Sequence, residues 1–81
     1  MIANEDLEQK LKSCDDVAYA KVEGDGYHYQ LVIVSKVFSG KTKVARQQWV
    51  YSLLGDFITS GSLHALSMQT FSEQEWEEQR G

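Results

Sequence analysis

Hydrophobic and polar residues alternate with a period of two over two stretches of the chain. From Leu63 to Thr70, one set is His64, Leu66, Met68 and Thr70 and the other is Leu63, Ala65, Ser67 and Gln69, the pattern of a half-buried strand. The first set is the more apolar, and His64 opens it. From Tyr27 to Ser35, Tyr29, Leu31 and Ile33 fall on one face and His28, Gln30, Val32 and Val34 on the other. Apolar residues on both faces of its second half predict a central strand. Val17 to Val22, mixing β-branched and aromatic residues, predicts a strand ahead of it. Elsewhere the spacing turns helical. Leu7, Leu11 and Cys14 follow at i, i+4 and i+7, and Val50, Leu53, Leu54, Phe57 and Ile58 at i, i+3, i+4, i+7 and i+8, with Trp49 and Tyr51 flanking.

Local signals set the boundaries. Asn4 is the expected N-cap of the first helix, with Glu5 and Asp6 loading its first turn. Gly24-Asp25-Gly26 predicts a tight hairpin, since its glycines supply positive φ. The main helix starts near Thr42, exposes Lys43, Arg46, Gln47 and Gln48 in its first turns, and ends at Gly61. Gly55 within it costs roughly 1 kcal/mol of helix propensity, so a kink or break is allowed there. Ser72 and Glu75 have capping-box spacing and Phe71 and Trp76 the spacing of a hydrophobic staple, so a last helix begins at Ser72, and Trp76 is expected to clamp it onto the sheet edge.

The resulting order is αββαβα, an α+β fold whose three-stranded mixed sheet is covered by helices, in a single domain over residues 1–81. A hairpin makes the first two strands antiparallel, and the helical crossover makes the second and third parallel. His28 and His64 then open parallel strands at one rim of the sheet, and Cys14 belongs at the opposite end.

Composition narrows the function classes. Eight basic against twelve acidic residues give a formal charge of -4, which works against non-specific attraction to nucleic acid or anionic membrane. The single cysteine, Cys14, has no internal disulfide partner and reads as a small apolar residue closing the first helix. No stretch resembles a signal peptide or a spanning helix, so a soluble cytoplasmic protein with no membrane partner is expected. No hydroxyl or thiol nucleophile stands beside a base and an orienting acid, and no enzymatic activity is expected. A lone histidine on an apolar strand face, such as His64, is more often a satisfied core group than a ligand.

The ordered segments Gly24-Asp-Gly-Tyr-His-Tyr29, Val34-Ser-Lys-Val-Phe-Ser-Gly40, Val44-Ala-Arg-Gln-Gln-Trp-Val-Tyr51, Leu63-His-Ala-Leu66 and Thr70-Phe-Ser-Glu-Gln-Glu-Trp76 together resemble the BolA-like family over nearly the whole chain. The hairpin and paired glutamines look most like its bacterial acid-stress subgroup. The resemblance implies a fold similar to the type II KH domain and a partnership with a monothiol glutaredoxin carrying a Cys-Gly-Phe-Ser site. It implies a 2Fe-2S cluster shared by the pair, with the histidine of the His-Ala-Leu motif, His64, as a ligand. The glutaredoxin cysteine and a glutathione thiol serve on the partner side. Some members place a further cysteine ligand in the hairpin loop. Residues 24–27 contain none, which makes His28 the candidate, with Asp25 or a solvent-derived ligand as alternatives. No cluster is expected in the isolated chain, which would be a monomer or a weak homodimer. A second reading, a nucleic-acid-binding transcriptional regulator with DNA as partner, rests on Lys41, Lys43 and Arg46 at the start of the main helix. The Arg-His-Arg run of many members is here Arg46-Gln47-Gln48 and keeps one positive side chain.

Overall fold

A computed structural model describes residues 2–59 and 65–80. The elements are α1 (Asn4–Lys12), β1 (Val17–Gly24), β2 (His28–Ser35), a 3₁₀ turn (Lys36–Phe38), α2 (Lys43–Leu53), α3 (Gly55–Thr59), β3 (Ala65–Phe71) and α4 (Glu73–Arg80). The sheet order is β1-β2-β3, antiparallel between β1 and β2 and parallel between β2 and β3. The expected mixed sheet is present, with β2 at its centre.

The alternation along β2 decides the layers. Tyr29, Leu31 and Ile33 are buried on the face where Leu7 and Leu11 of α1 meet Val50 of α2 and Leu54 beyond its end. Ala20 and Val22 of β1 and Phe38 of the 3₁₀ turn complete this core, and Leu66 and Met68 pack against it. Val34 lies on the opposite face and is buried as well. There α4 covers one end of the sheet, with Trp76 stacked on Tyr19 at 5.2 Å and tilted on Phe71 at 5.3 Å. The staple therefore clamps α4 onto the edge strand β1, as the spacing predicts. The capping box is also formed. Ser72 N–H donates to Glu75 Oε1 at 2.8 Å, and Glu75 N–H donates to Ser72 Oγ at 3.2 Å.

Several boundaries differ from the sequence expectation. Asn4 is the first helical residue rather than the N-cap. Ala3 takes the cap position without a side-chain bond, and Asn4 Nδ2 reaches the Gly24 carbonyl at 3.4 Å instead. Thr42 does cap α2, its hydroxyl accepting from Ala45 N–H at 3.2 Å. The main helix breaks at Leu54, one residue before Gly55, and resumes as α3. The break turns Ile58 out of the apolar stripe, leaving it exposed while Leu54 is fully buried. β1 extends to Gly24, β2 begins one residue later than Tyr27, and β3 runs on to Phe71. A bulge between Val17 and Tyr19 shifts the β1–β2 register, and no pattern in the sequence signals it. Among the described residues no helix is long and apolar enough to cross a membrane.

Candidate functional site

The rim that the topology assigns to the histidines is built on the β1–β2 turn. Asp25 Oδ1 accepts the N–H groups of Tyr27 and His28, each at 2.9 Å, and Asp25 N–H donates to the His28 carbonyl at 3.3 Å. The bonds from His28 and Tyr27 hold the Asp25 carboxyl below its ordinary value. Gly26 has φ 96°, which a side chain would resist. At Gly24 the constraint is space rather than φ. A Cβ there would collide with the His28 carbonyl oxygen and stand 3.1 Å from Tyr29 Cα.

Tyr29 ties this turn to the start of the chain. Its hydroxyl is buried, donates to the Ile2 carbonyl at 2.6 Å and accepts the Ile2 N–H at 3.2 Å. The next residues toward solvent are exposed. Tyr27 is 65% accessible, and His28 projects from the face opposite Tyr29. His28 is in register with Ala65 at the beginning of β3. A shallow groove of about 400 Å³ runs here, lined by His28, Tyr29, Gln30, Leu66 and Ser67.

Of the two candidate ligands, His28 is thus placed at the rim, exposed and on a hydrogen-bonded turn. His64 lies outside the described residues, and Ala65, the residue after it, stands across from His28. Asp25 lies beside His28 with one carboxylate oxygen already engaged by the turn. Cys14 precedes β1, whose first residue Val17 pairs with Ser35 at the other end of β2. It is therefore distant from the rim, as the topology predicts. Among the described residues no three histidine, cysteine, aspartate or glutamate side chains gather where they would hold one metal ion.

The basic cluster divides into two parts. Lys41 and Lys43 are exposed. Arg46, expected on the exposed first turns of α2, is instead 8% accessible. Its Nε donates to the Lys41 carbonyl at 3.0 Å and its Nη1 to the Thr70 carbonyl at 3.1 Å. The two Nη atoms grip Glu75 at 2.8 and 3.3 Å, and the guanidinium lies 5.7 Å from the centre of the Phe38 ring. The hydrogen bond from Arg46, then that from the Ser72 N–H, pushes the Glu75 carboxyl down to about 2. Arg46 joins α2, β3 and α4 and is not a free cation. The capping-box spacing identifies Glu75 as a partner of Ser72. That it also holds an arginine 29 residues away has no local signal.

The sequence matches the model of the BolA-like protein family over residues 4–75. It is 31% identical over 77 residues to the acid stress protein IbaG of Escherichia coli, covering 95% of this chain and 92% of that protein. It is 28% identical over 87 residues to the DNA-binding transcriptional regulator BolA of the same organism, covering 95% of this chain and 82% of that one. Among solved structures, a BolA protein homologue from Coxiella burnetii superimposes with a TM-score of 0.78 at 32% identity, over 95% of this chain and 99% of that one. The hairpin, the parallel β2–β3 pair, the capped last helix and these matches together make the chain a member of the BolA-like family.

Proposed function

We propose that this chain is a non-catalytic, cytoplasmic adaptor that pairs with a monothiol Cys-Gly-Phe-Ser glutaredoxin and co-ligates a 2Fe-2S cluster through His64 and His28. It would serve iron-sulfur cluster assembly or trafficking and iron or stress regulation. The observation that carries this reading is the position of His28, exposed on a hydrogen-bonded turn and in register with the residue that follows His64. The donors suit one half of a shared centre. Imidazole replaces thiolate at one iron of Rieske clusters, and the remaining ligands would be the glutaredoxin cysteine and a glutathione thiol. Bound there, the cluster would supply one-electron chemistry or serve as cargo. The chain's part is to supply two imidazoles, His28 at the start of β2 and His64 just ahead of β3 in the sequence.

Anaerobic reconstitution with such a glutaredoxin tests the reading. A coloured heterodimer is expected, and His64→Ala is expected to lose or visibly change its absorption while the far-ultraviolet circular dichroism of the chain stays the same. An unchanged visible spectrum counts against the assignment.

A second reading, DNA binding, is favoured by the exposure of Lys41 and Lys43 at the start of α2 and by the name of the E. coli BolA regulator. Arg46 does not contribute, because its guanidinium is held inside the fold. If the two lysines contact phosphates, replacing both with glutamine lowers the slope of log affinity against log salt by about 2. A gel-shift titration at low and physiological salt measures it. No binding at physiological salt ends this reading for the isolated chain.

A further inference from the structure

The two edges of the sheet are finished differently. On β1 the edge is met by α1, where Glu8 Oε2 accepts the Val22 N–H at 2.8 Å and Asn4 Nδ2 donates to the Gly24 carbonyl. On β3 a described side chain reaches the edge backbone at Thr70, whose carbonyl accepts from Arg46. Backbone groups of alternate residues in a strand point to the same side, so the outward carbonyl of Thr70 makes Met68 outward-facing too. Among the described residues, no other element bonds to the Met68 backbone. The strand sequence Ala-Leu-Ser-Met-Gln-Thr-Phe has no charge and no proline, and its register with β2 has no bulge. These are the devices that normally protect an edge from further pairing.

A groove of about 490 Å³ runs along this edge, floored by residues 68–71 and walled by Lys43 and Gln47 of α2 and Gln79 of α4. The one charged side chain in its described lining is basic, Lys43. Of the eight basic side chains, Lys10, Lys12, Lys36, Arg46 and Arg80 are in ion pairs. Two of the other three, Lys41 and Lys43, stand together at the N-terminus of α2, where the helix dipole adds positive potential. In a chain with net charge -4, neither is in an ion pair with a described carboxylate.

We propose that the outer edge of β3 takes up an extended acidic segment of a partner protein as a fourth strand. Backbone hydrogen bonds to Met68 hold the segment, and its carboxylates lie beside Lys43 and Lys41. Main-chain pairing supplies affinity in such strand addition, and flanking side chains supply specificity. The groove takes in residues 68–71, farther along β3 than Leu66 and Ser67 of the histidine rim, and the proposal does not rest on cluster binding.

The test is a nuclear magnetic resonance titration of the full chain with a short peptide of alternating valine and threonine flanked at both ends by glutamates. The largest amide shifts are expected along β3, with slowed hydrogen exchange at Met68. Lys43→Glu, a change at an exposed position, is expected to weaken binding on the order of tenfold, and a lysine-flanked peptide to restore it. The proposal is overturned if no peptide binds, if shifts centre on β1 or the hairpin, or if the wild-type chain binds the lysine-flanked peptide equally well. It is also overturned if Met68 is already protected in a concentration-dependent dimer without peptide, which would give the edge to a second copy of the chain.

Discussion

Arg46→Ala is expected to lower the unfolding free energy by about 2–3 kcal/mol, because one substitution removes four charge-assisted or carbonyl hydrogen bonds and the packing on Phe38. The figure is held below the cost of breaking a fully buried ion pair, since the Glu75 side chain is 47% accessible and rehydrates once its partner is gone. Arg46→Lys keeps the charge but not the planar fork and should recover only part of the loss. Urea denaturation measures both, and a change within about 0.5 kcal/mol for Arg46→Ala would mark the bridge as incidental. The pair also sets a pH dependence. The Glu75 carboxyl, lowered from 4.5 to about 2, favours the folded state fully above its ordinary value. That contribution is lost as pH falls from 4.5 toward 2, and Glu75→Gln should flatten the acid limb of the stability profile over that interval.

Gly24→Ala is the second large effect, expected at about 1–3 kcal/mol. The added carbon meets the His28 carbonyl and the Tyr29 backbone, not the flexible end of a side chain, so the two strands must separate to admit it. The displaced carbonyl is the acceptor of the Asp25 N–H. The substitution should therefore loosen the turn that positions His28 as well as lower the urea midpoint. Amide shifts confined to residue 24, with an unchanged midpoint, would show that the strand pair absorbs the methyl group without moving.

The alternating strands, the helical stripes and the terminal capping box were legible because each is a short-range pattern with one physical solution. The parallel β2–β3 pairing followed from chain connectivity, and it was enough to put His28 at one end of the sheet and Cys14 at the other. The features without a local signal depend on contacts between distant residues. Arg46 carries a surface-type side chain at a helical position that reads as exposed. Its burial is decided by Glu75 and the Thr70 carbonyl, which no local window contains. Asn4 fits an N-cap by type, yet the Gly24 carbonyl of the neighbouring strand draws its amide away. The break at Leu54 was signalled by Gly55, but its consequence, an exposed Ile58, required the direction of α3.

The histidine rim itself was legible only in outline. Alternation and topology bring His28 to the start of β3, whereas its ligand role comes from the family resemblance. Asp25 gained a second meaning from the structure. It was a candidate ligand in the sequence, and it is the acceptor that closes the turn beneath His28.

Histidine ligation of a shared cluster is tested by hyperfine spectroscopy of the reduced heterodimer with isotopically labelled histidine in this chain alone. Strongly coupled histidine nitrogen from this chain is expected, with one coupling lost in His64→Ala and another in His28→Ala. A reduced cluster without strongly coupled nitrogen from this chain would contradict that ligation.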